Sequence, residues 1–373
     1  MRSLVAAVAA LIACGGLLTP SAQADPLPPL DHAGVLADMQ RVVAAGAPAY
    51  LFGAIDEFGT WSAAAGVSDV NTGVPASPDA AFRIGSITKT FLAVAILQLV
   101  AEGRIGLDDP VDEYLPGLLK QGAIVTIREL LQHRAGLGLS RDPGLGTYGY
   151  WCAHDYDPVQ VIQAYDDELF PPGSAFSYSN AGYMVLQLVL QKVTGESYQQ
   201  VLTQRLVDPL HLTNTGFQEE APVWPNPYVH GYYLLPGTGN AATTHLYDES
   251  ACRASFFGAS GSGISTTRDL TTFLYALTHG QLLPDYLYQQ MIQTLPTNLA
   301  PYITYGLGLE EVQLSCGVTL LGNGGHVPGY ISDVFATLDG TRTYADVFTI
   351  DNPNLDVVAA WHDARHAEFC DDK

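Results

Sequence analysis

The stretch Arg83-Ile84-Gly85-Ser86-Ile87-Thr88-Lys89-Thr90-Phe91-Leu92 decides how the rest of the chain is read. From Phe91 to Val100 every position but Gln98 is apolar, and no glycine or proline intervenes before Gly103. A run of this kind, with no polar stripe, predicts a helix buried on most sides. Ser86 stands at its start, and Lys89 follows one turn later on the same face. Lys89 is the only charged residue between Arg83 and Glu102, and an ammonium in a first turn opposes the helix dipole. An apolar setting disfavours the ammonium form, so the lysine pKa falls and the amine can take a proton from a neighbouring hydroxyl. The spacing Ser-x-x-Lys is common in helices. This stretch alone leaves open a plainer alternative, with Ser86 as a helix cap and Lys89 snorkelling to water.

Upstream, Arg2, the apolar run Leu4 to Leu18 and Ala22-Gln23-Ala24 predict a secretory leader over residues 1–24. Cys14, in Leu11-Ile12-Ala13-Cys14, offers lipid anchoring as the alternative, although Leu17 and Leu18 carry the apolar run past it. No later segment is long enough to span a bilayer. The chain has 38 acidic and 16 basic residues, a net charge of −22, which argues against nucleic acid and anionic membranes as partners. Nothing in the sequence calls for a metal or a cofactor: Cys152, Cys252, Cys316 and Cys370 fit no zinc spacing, and an even number in an exported chain predicts two disulfides. The expected pairs are Cys152–Cys252, both in loops bordering one region, and Cys316–Cys370, a late strand and the end of a helix packed over it.

Around the Ser86 helix the pattern predicts an α+β fold, an antiparallel β-sheet flanked by helices. A helix is expected over Asp31 to Ala45, then strands over Tyr50 to Ile55 and Thr60 to Val67. Late strands are expected over Gly306 to Gln313, Val318 to Leu321, Ile331 to Thr337 and Thr343 to Ile350, and a closing helix over Leu355 to Phe369. The sheet region is assigned to 25–115 plus 250–373, and 116–249 reads as mainly helical. Within it, Thr126 caps a short helix ending at His133, which reads as a structural histidine. Asp157-Pro158 opens another helix, expected to end near Phe170. The aromatic segment with Tyr148, Tyr150 and Trp151 reads either as the mouth of a site or as a self-packed loop. After Pro171-Pro172-Gly173, Tyr178 and Asn180 fall on a turn before a helix from Ala181 to Thr194, closed by Gly195. Asn180 is there either a cap or a functional amide. Gly322-Asn323-Gly324-Gly325-His326-Val327-Pro328-Gly329 reads as a glycine-rich corner between two strands, where backbone can come close to a ligand.

Ser-x-x-Lys on a buried helix, Tyr-x-Asn at a helix start and a glycine-rich strand motif, in this order, resemble the penicillin-recognising serine enzymes, and more narrowly the class C β-lactamase and D-alanyl-D-alanine carboxypeptidase group. Leu130-Leu131-Gln132-His133-Arg134-Ala135-Gly136-Leu137, Pro172-Gly173 with Phe176-Ser177-Tyr178-Ser179-Asn180, and Gly263-Ile264-Ser265-Thr266-Thr267-Arg268-Asp269-Leu270 extend the likeness over nearly the whole chain after the leader. The resemblance implies acyl transfer on a small acyl substrate: a peptide, an ester or a β-lactam. Ser86 would be the nucleophile, with Lys89 and Tyr178 sharing the proton work. Asn180 would bind substrate, and the backbone N–H groups of Ser86 and His326 would form the oxyanion hole.

The third motif departs from the family pattern. Where the family has Lys or His, this chain has Asn323, followed by Gly324, Gly325 and His326, and an amide can neither carry charge nor shuttle a proton. Between Arg268 and Arg342 there is no lysine or arginine, while Glu310 and Glu311 stand in the strand before the motif. A substrate carboxylate needs a cation, so either a cation arrives from Arg134, Arg141 or Arg253, or the site prefers substrates without a free terminal carboxylate. An esterase or aminopeptidase-type hydrolase on the same fold, and a binding protein without turnover, are the competing functions.

Overall fold

Asp31 opens the first helix, α1 (His32–Ala44), by accepting a hydrogen bond from the Ala33 N–H. The chain then folds into the hairpin β1 (Ala49–Asp56) and β2 (Gly59–Asp69), in register from Ala49↔Gly66 to Asp56↔Gly59. These elements come from a computed structural model that describes residues 29–138, 152–220, 222–235 and 245–370. The expected leader with Cys14, Arg141, and the segment with Tyr148, Tyr150 and Trp151 lie outside the described residues.

Two short strands follow, β3 (Val74–Pro75) and β4 (Phe82–Arg83), and then the turn Gly85–Ile87 leads into α2 (Thr88–Ala101). Thr88 through Leu97 and Leu99 are all buried, as a run without a polar stripe requires. Next come α3 (Ile127–Leu131), α4 (Pro158–Ala164), α5 (Asn180–Thr194) and α6 (Tyr198–Leu202). Small strands are β5 (Gly216–Phe217), the hairpin β6 (Tyr232–Leu235) and β7 (His245–Asp248), and β8 (Gly263–Ser265). Helices α7 (Thr267–Thr278) and α8 (Asp285–Met291) precede β9 (Leu295–Pro296), β10 (Ile303–Tyr305), β11 (Glu310–Gln313), β12 (Thr319–Val327), β13 (Tyr330–Thr337) and β14 (Thr343–Phe348), and α9 (Leu355–Phe369) closes the described fold.

The main sheet has nine strands in the order β3-β2-β1-β14-β13-β12-β11-β10-β9, every neighbouring pair antiparallel. Pairing of β1 with β14 joins the first hairpin to the C-terminal meander. One face packs Tyr50, Phe52, Phe335, Tyr344 and Phe348 against α1 and α9. The other packs Leu51, Val334, Ala345 and Val347 into a core shared with Phe91, Leu92 and Phe273 of α2 and α7. Both expected disulfides are present, Cys152–Cys252 and Cys316–Cys370. Among the described residues no helix is long and apolar enough to cross a membrane.

Four expectations need correction. Among its described residues, 116–249 is less continuously helical than its pattern predicts: beside the long α5, the short helices α3, α4 and α6 are set among turns and the β6–β7 hairpin. Helix α4 stops at Ala164 because Asp166, Asp167 and Glu168 follow, and carboxylates disfavour a helix C-terminus. The strand expected from Gly306 starts at Glu310; the preceding residues turn the chain from β10 into β11. Finally, Asn323 to His326 are not a corner. They lie within β12 and pair residue by residue with β13, from Asn323↔Val334 to His326↔Ile331. The glycines serve close approach rather than a turn: a Cβ on Gly325 would collide with the Ile84 carbonyl, and one on Gly322 with that of Val334.

Candidate active site

Gly85 brings the turn before α2 against β12. Its φ is +49°, a left-handed conformation open to glycine, and a Cβ there would lie 2.8 Å from the His326 backbone nitrogen. The backbones on either side of the expected oxyanion hole, at Ser86 and His326, therefore meet at this contact. Lys89, the second residue of α2 and one turn after Ser86, is fully buried. Its Nζ lies 2.9 Å from Ser86 Oγ, 2.8 Å from Asn180 Oδ1 and 2.8 Å from the Ser260 carbonyl oxygen. The last two partners can only accept, so they fix two N–H bonds of the amine and turn its remaining position toward Ser86 Oγ. Burial holds the Lys89 pKa well below the usual lysine value, against a smaller opposing pull from Glu310. Snorkelling is ruled out by this geometry, as no part of Lys89 reaches water.

Tyr178 closes the other side of Ser86. Its ring centroid is 4.8 Å from Lys89 Nζ. Burial raises the phenol well above its ordinary pKa, the neighbouring Ser86 hydroxyl opposing and the Glu310 charge adding, so Tyr178 remains a protonated donor. Asn180 is the first residue of α5, and the cap is Ser179, whose Oγ accepts from the Gly182 N–H at 3.2 Å. That leaves the Asn180 amide oxygen on Lys89 and its NH₂ free of the capping role.

His133 lies directly behind the Tyr-x-Asn segment. Its carbonyl accepts from the Ser177 N–H at 2.8 Å, and its Nδ1 accepts from the Ser179 N–H at 3.0 Å. The imidazole packs 4.2 Å from the Tyr178 ring, 5.0 Å from Tyr183 and 4.8 Å from Tyr305. Burial and the nearby Lys89 push its pKa well below the usual histidine value, so the ring is neutral, with the proton on Nε2.

The third motif is placed differently from the expectation. Asn323 is buried, and its Nδ2 donates to Thr90 Oγ1 at 3.1 Å; Thr90 in turn donates to the Gly308 carbonyl at 2.9 Å. Asn323 thus ties β12 to α2, while Gly324 and Gly325 carry the strand past Ile84. His326 sends its imidazole to Asp351, Nε2 to Oδ1 at 2.7 Å, so its side chain does not replace the missing cation. Of the alternative cations, Arg134 donates to the Gly173 carbonyl and Arg253 pairs with Asp155. Glu310, opposite Gly322, acts electrostatically on Lys89, Tyr178 and Tyr305, and its own carboxyl is pushed up to about 7 by burial, with Arg365 and Lys89 drawing it back. Glu311 instead meets Thr294. The Ser260 carbonyl was not legible as a site group, because a backbone acceptor leaves no side-chain signal; the turn Gly258–Ser260 that presents it is held by the Ala259 N–H on Gln187 Oε1 at 2.7 Å.

Among solved structures, the D-stereospecific amidohydrolase from Streptomyces sp. superposes with a TM-score of 0.81 at 34% identity, covering 91% of this chain and 99% of that one. The D-amino acid amidase from Ochrobactrum anthropi SV3, complexed with L-phenylalanine, shares the fold with a TM-score of 0.77 at 22% identity, over 90% of this chain and 99% of that one. In sequence, Protein flp of Staphylococcus aureus (strain COL) is 34% identical over 161 residues, 41% of this chain and 31% of flp. Penicillin-binding protein 4* of Bacillus subtilis (strain 168) is 26% identical over 298 residues, 74% of this chain and 62% of that protein. The chain therefore spans less than two thirds of either curated relative. The Beta-lactamase family model matches residues 32–368, and the chain belongs to that family of penicillin-recognising serine hydrolases.

Proposed function

We propose that this serine hydrolase cleaves amides or esters of D-amino acids, and substrates without a free terminal carboxylate generally, through an acyl-enzyme on Ser86. The observation carrying the chemistry is the Lys89 amine, buried, depressed in pKa and oriented on Ser86 Oγ by two obligate acceptors. In this reading the neutral amine takes the Ser86 hydroxyl proton as Oγ attacks the substrate carbonyl. The resulting oxyanion accepts from the Ser86 and His326 N–H groups. Tyr178, held as a phenol, passes a proton to the leaving nitrogen or oxygen and regains one from Lys89; water then repeats the sequence in reverse to release the acid. Asn180 Nδ2 is the donor left for the substrate.

The substrate class rests on charge. Asn323 and Glu310 stand where a carboxylate-binding cation would be needed, and Arg134 and Arg253 are engaged elsewhere. The name of the 34% identical amidohydrolase points the same way. A carboxypeptidase is the reading this disfavours. The leader pattern and two disulfides support export. The test compares kcat/KM for D-phenylalanine amide, its L-enantiomer, an acyl-D-Ala-D-Ala peptide, and that peptide's C-terminal amide and methyl ester. Preference for the D-amide and the blocked peptides is expected. A clear preference for the free acid would make the protein an ordinary carboxypeptidase and refute the charge argument.

A further inference from the structure

His133 is buried, is used by no step of the chemistry above, and holds a left-handed backbone with φ of 56°. A non-glycine residue in that conformation is uncommon and strained, and is kept where surrounding contacts fix it. Here two hydrogen bonds and the shortest ring contact run to one short segment. The His133 carbonyl holds the Ser177 N–H, its Nδ1 holds the Ser179 N–H, and its ring lies against the residue between them, Tyr178. Ser179 is also the cap of α5, so the same bond bears on the first residue of that helix, Asn180. Two acceptors and one ring face from His133, set over three consecutive residues, leave Tyr178 and Asn180 little freedom to rotate away from Ser86 and Lys89.

We propose that His133 is a positioning residue for the proton-transfer groups: its Nδ1 lone pair sets the Tyr178–Asn180 segment and, through it, the distances from Tyr178 to Ser86 and from Asn180 to Lys89. This rests on the acyl-transfer reading of Ser86 and is independent of which acyl substrate is used. The role belongs to an acceptor at the Nδ1 position and not to imidazole acid–base chemistry. A side chain that supplies an acceptor there and tolerates a left-handed backbone will therefore serve. Asparagine does both, since its Oδ1 occupies the Nδ1 position and it enters the left-handed region readily. Phenylalanine keeps the ring packing but removes the acceptor. Glutamine keeps polarity but carries its oxygen one atom too far out.

The experiment measures kcat and KM for p-nitrophenyl acetate, a substrate that needs Ser86 acylation but no D-amide specificity, in wild type, His133→Asn, His133→Phe and His133→Gln. Folding is checked by near-UV circular dichroism and melting temperature, and the Gln variant stands in if the Phe variant does not fold. Misplacing a general acid–base group costs on the order of 10²-fold, so the Phe and Gln variants are expected to lose about that factor in kcat with KM within about threefold, while Asn stays within about fivefold of wild type. A folded Phe or Gln variant with wild-type kcat overturns the proposal. So does an Asn variant that is folded and as slow as Gln, because a merely structural role would give melting temperatures that differ and turnover that does not follow the Nδ1 acceptor.

Discussion

Replacing Thr90 by valine probes the seam that the unusual third motif makes with the catalytic helix. Thr90 is 1% exposed and sits next to Lys89; its Oγ1 donates to the Gly308 carbonyl at 2.9 Å and accepts from Asn323 Nδ2 at 3.1 Å. Valine preserves the shape and removes both bonds, leaving a buried donor on β12 and a buried acceptor between β10 and β11. Each buried group left unpaired costs about 1–3 kcal/mol, so a total loss of about 2–4 kcal/mol is expected once partial relaxation is allowed. Equilibrium urea unfolding followed by tryptophan fluorescence measures it. Asn323→Leu supplies the second arm of a double-mutant cycle. If the two side chains bond as described, the double variant loses less than the sum of the single ones, by about 0.5 kcal/mol or more. A Thr90→Val loss below about 0.5 kcal/mol, or strict additivity with Asn323→Leu, would refute the pairing and with it the account of why Asn replaces a cation there.

Lys89→Met and Tyr178→Phe are each expected to lower kcat by on the order of 10²-fold or more, read by steady-state ester hydrolysis in proteins that remain folded. Because the neutral amine is the active form, kcat/KM is expected to rise with pH through a transition well below the ordinary lysine value, and a transition near 10.5 would contradict the burial argument. For Glu310 the folded carboxyl is raised to about 7 from 4.5, so the folded state binds more protons than the unfolded one across that window. Stability is therefore lost as pH rises through it, and Glu310→Gln is expected to flatten that part of the melting-temperature profile; an unchanged slope would place the carboxyl in water.

The elements most legible in the sequence were those in which periodicity and caps agree. The closing helix runs over Leu355–Phe369 as expected, and α1 starts at the Asp31 cap. The Ser86 stretch was legible because a single lysine in an apolar helix has few places to go. The glycines of β12 misled for a physical reason: glycine marks both turns and close backbone contacts, and only the partner, Ile84 for Gly325, tells which. Asn180 was ambiguous as cap or functional amide because Ser179 and Asn180 are both good caps; the structure gives the cap to Ser179. The positions of Ser260 and Glu310 relative to Lys89 depend on chain separated by more than 170 residues in one case and more than 200 in the other, beyond any local pattern.

The central claim is a covalent acyl-enzyme on Ser86, and intact mass after rapid mixing and acid quench tests it most directly. With p-nitrophenyl acetate or a fluorescent penicillin, wild type is expected to gain one acyl group, mapped by proteolysis to the peptide containing Ser86, and Ser86→Ala is expected to gain none while keeping its fold. An adduct of equal size and rate on Ser86→Ala, or turnover at the wild-type rate in that variant, would contradict the account.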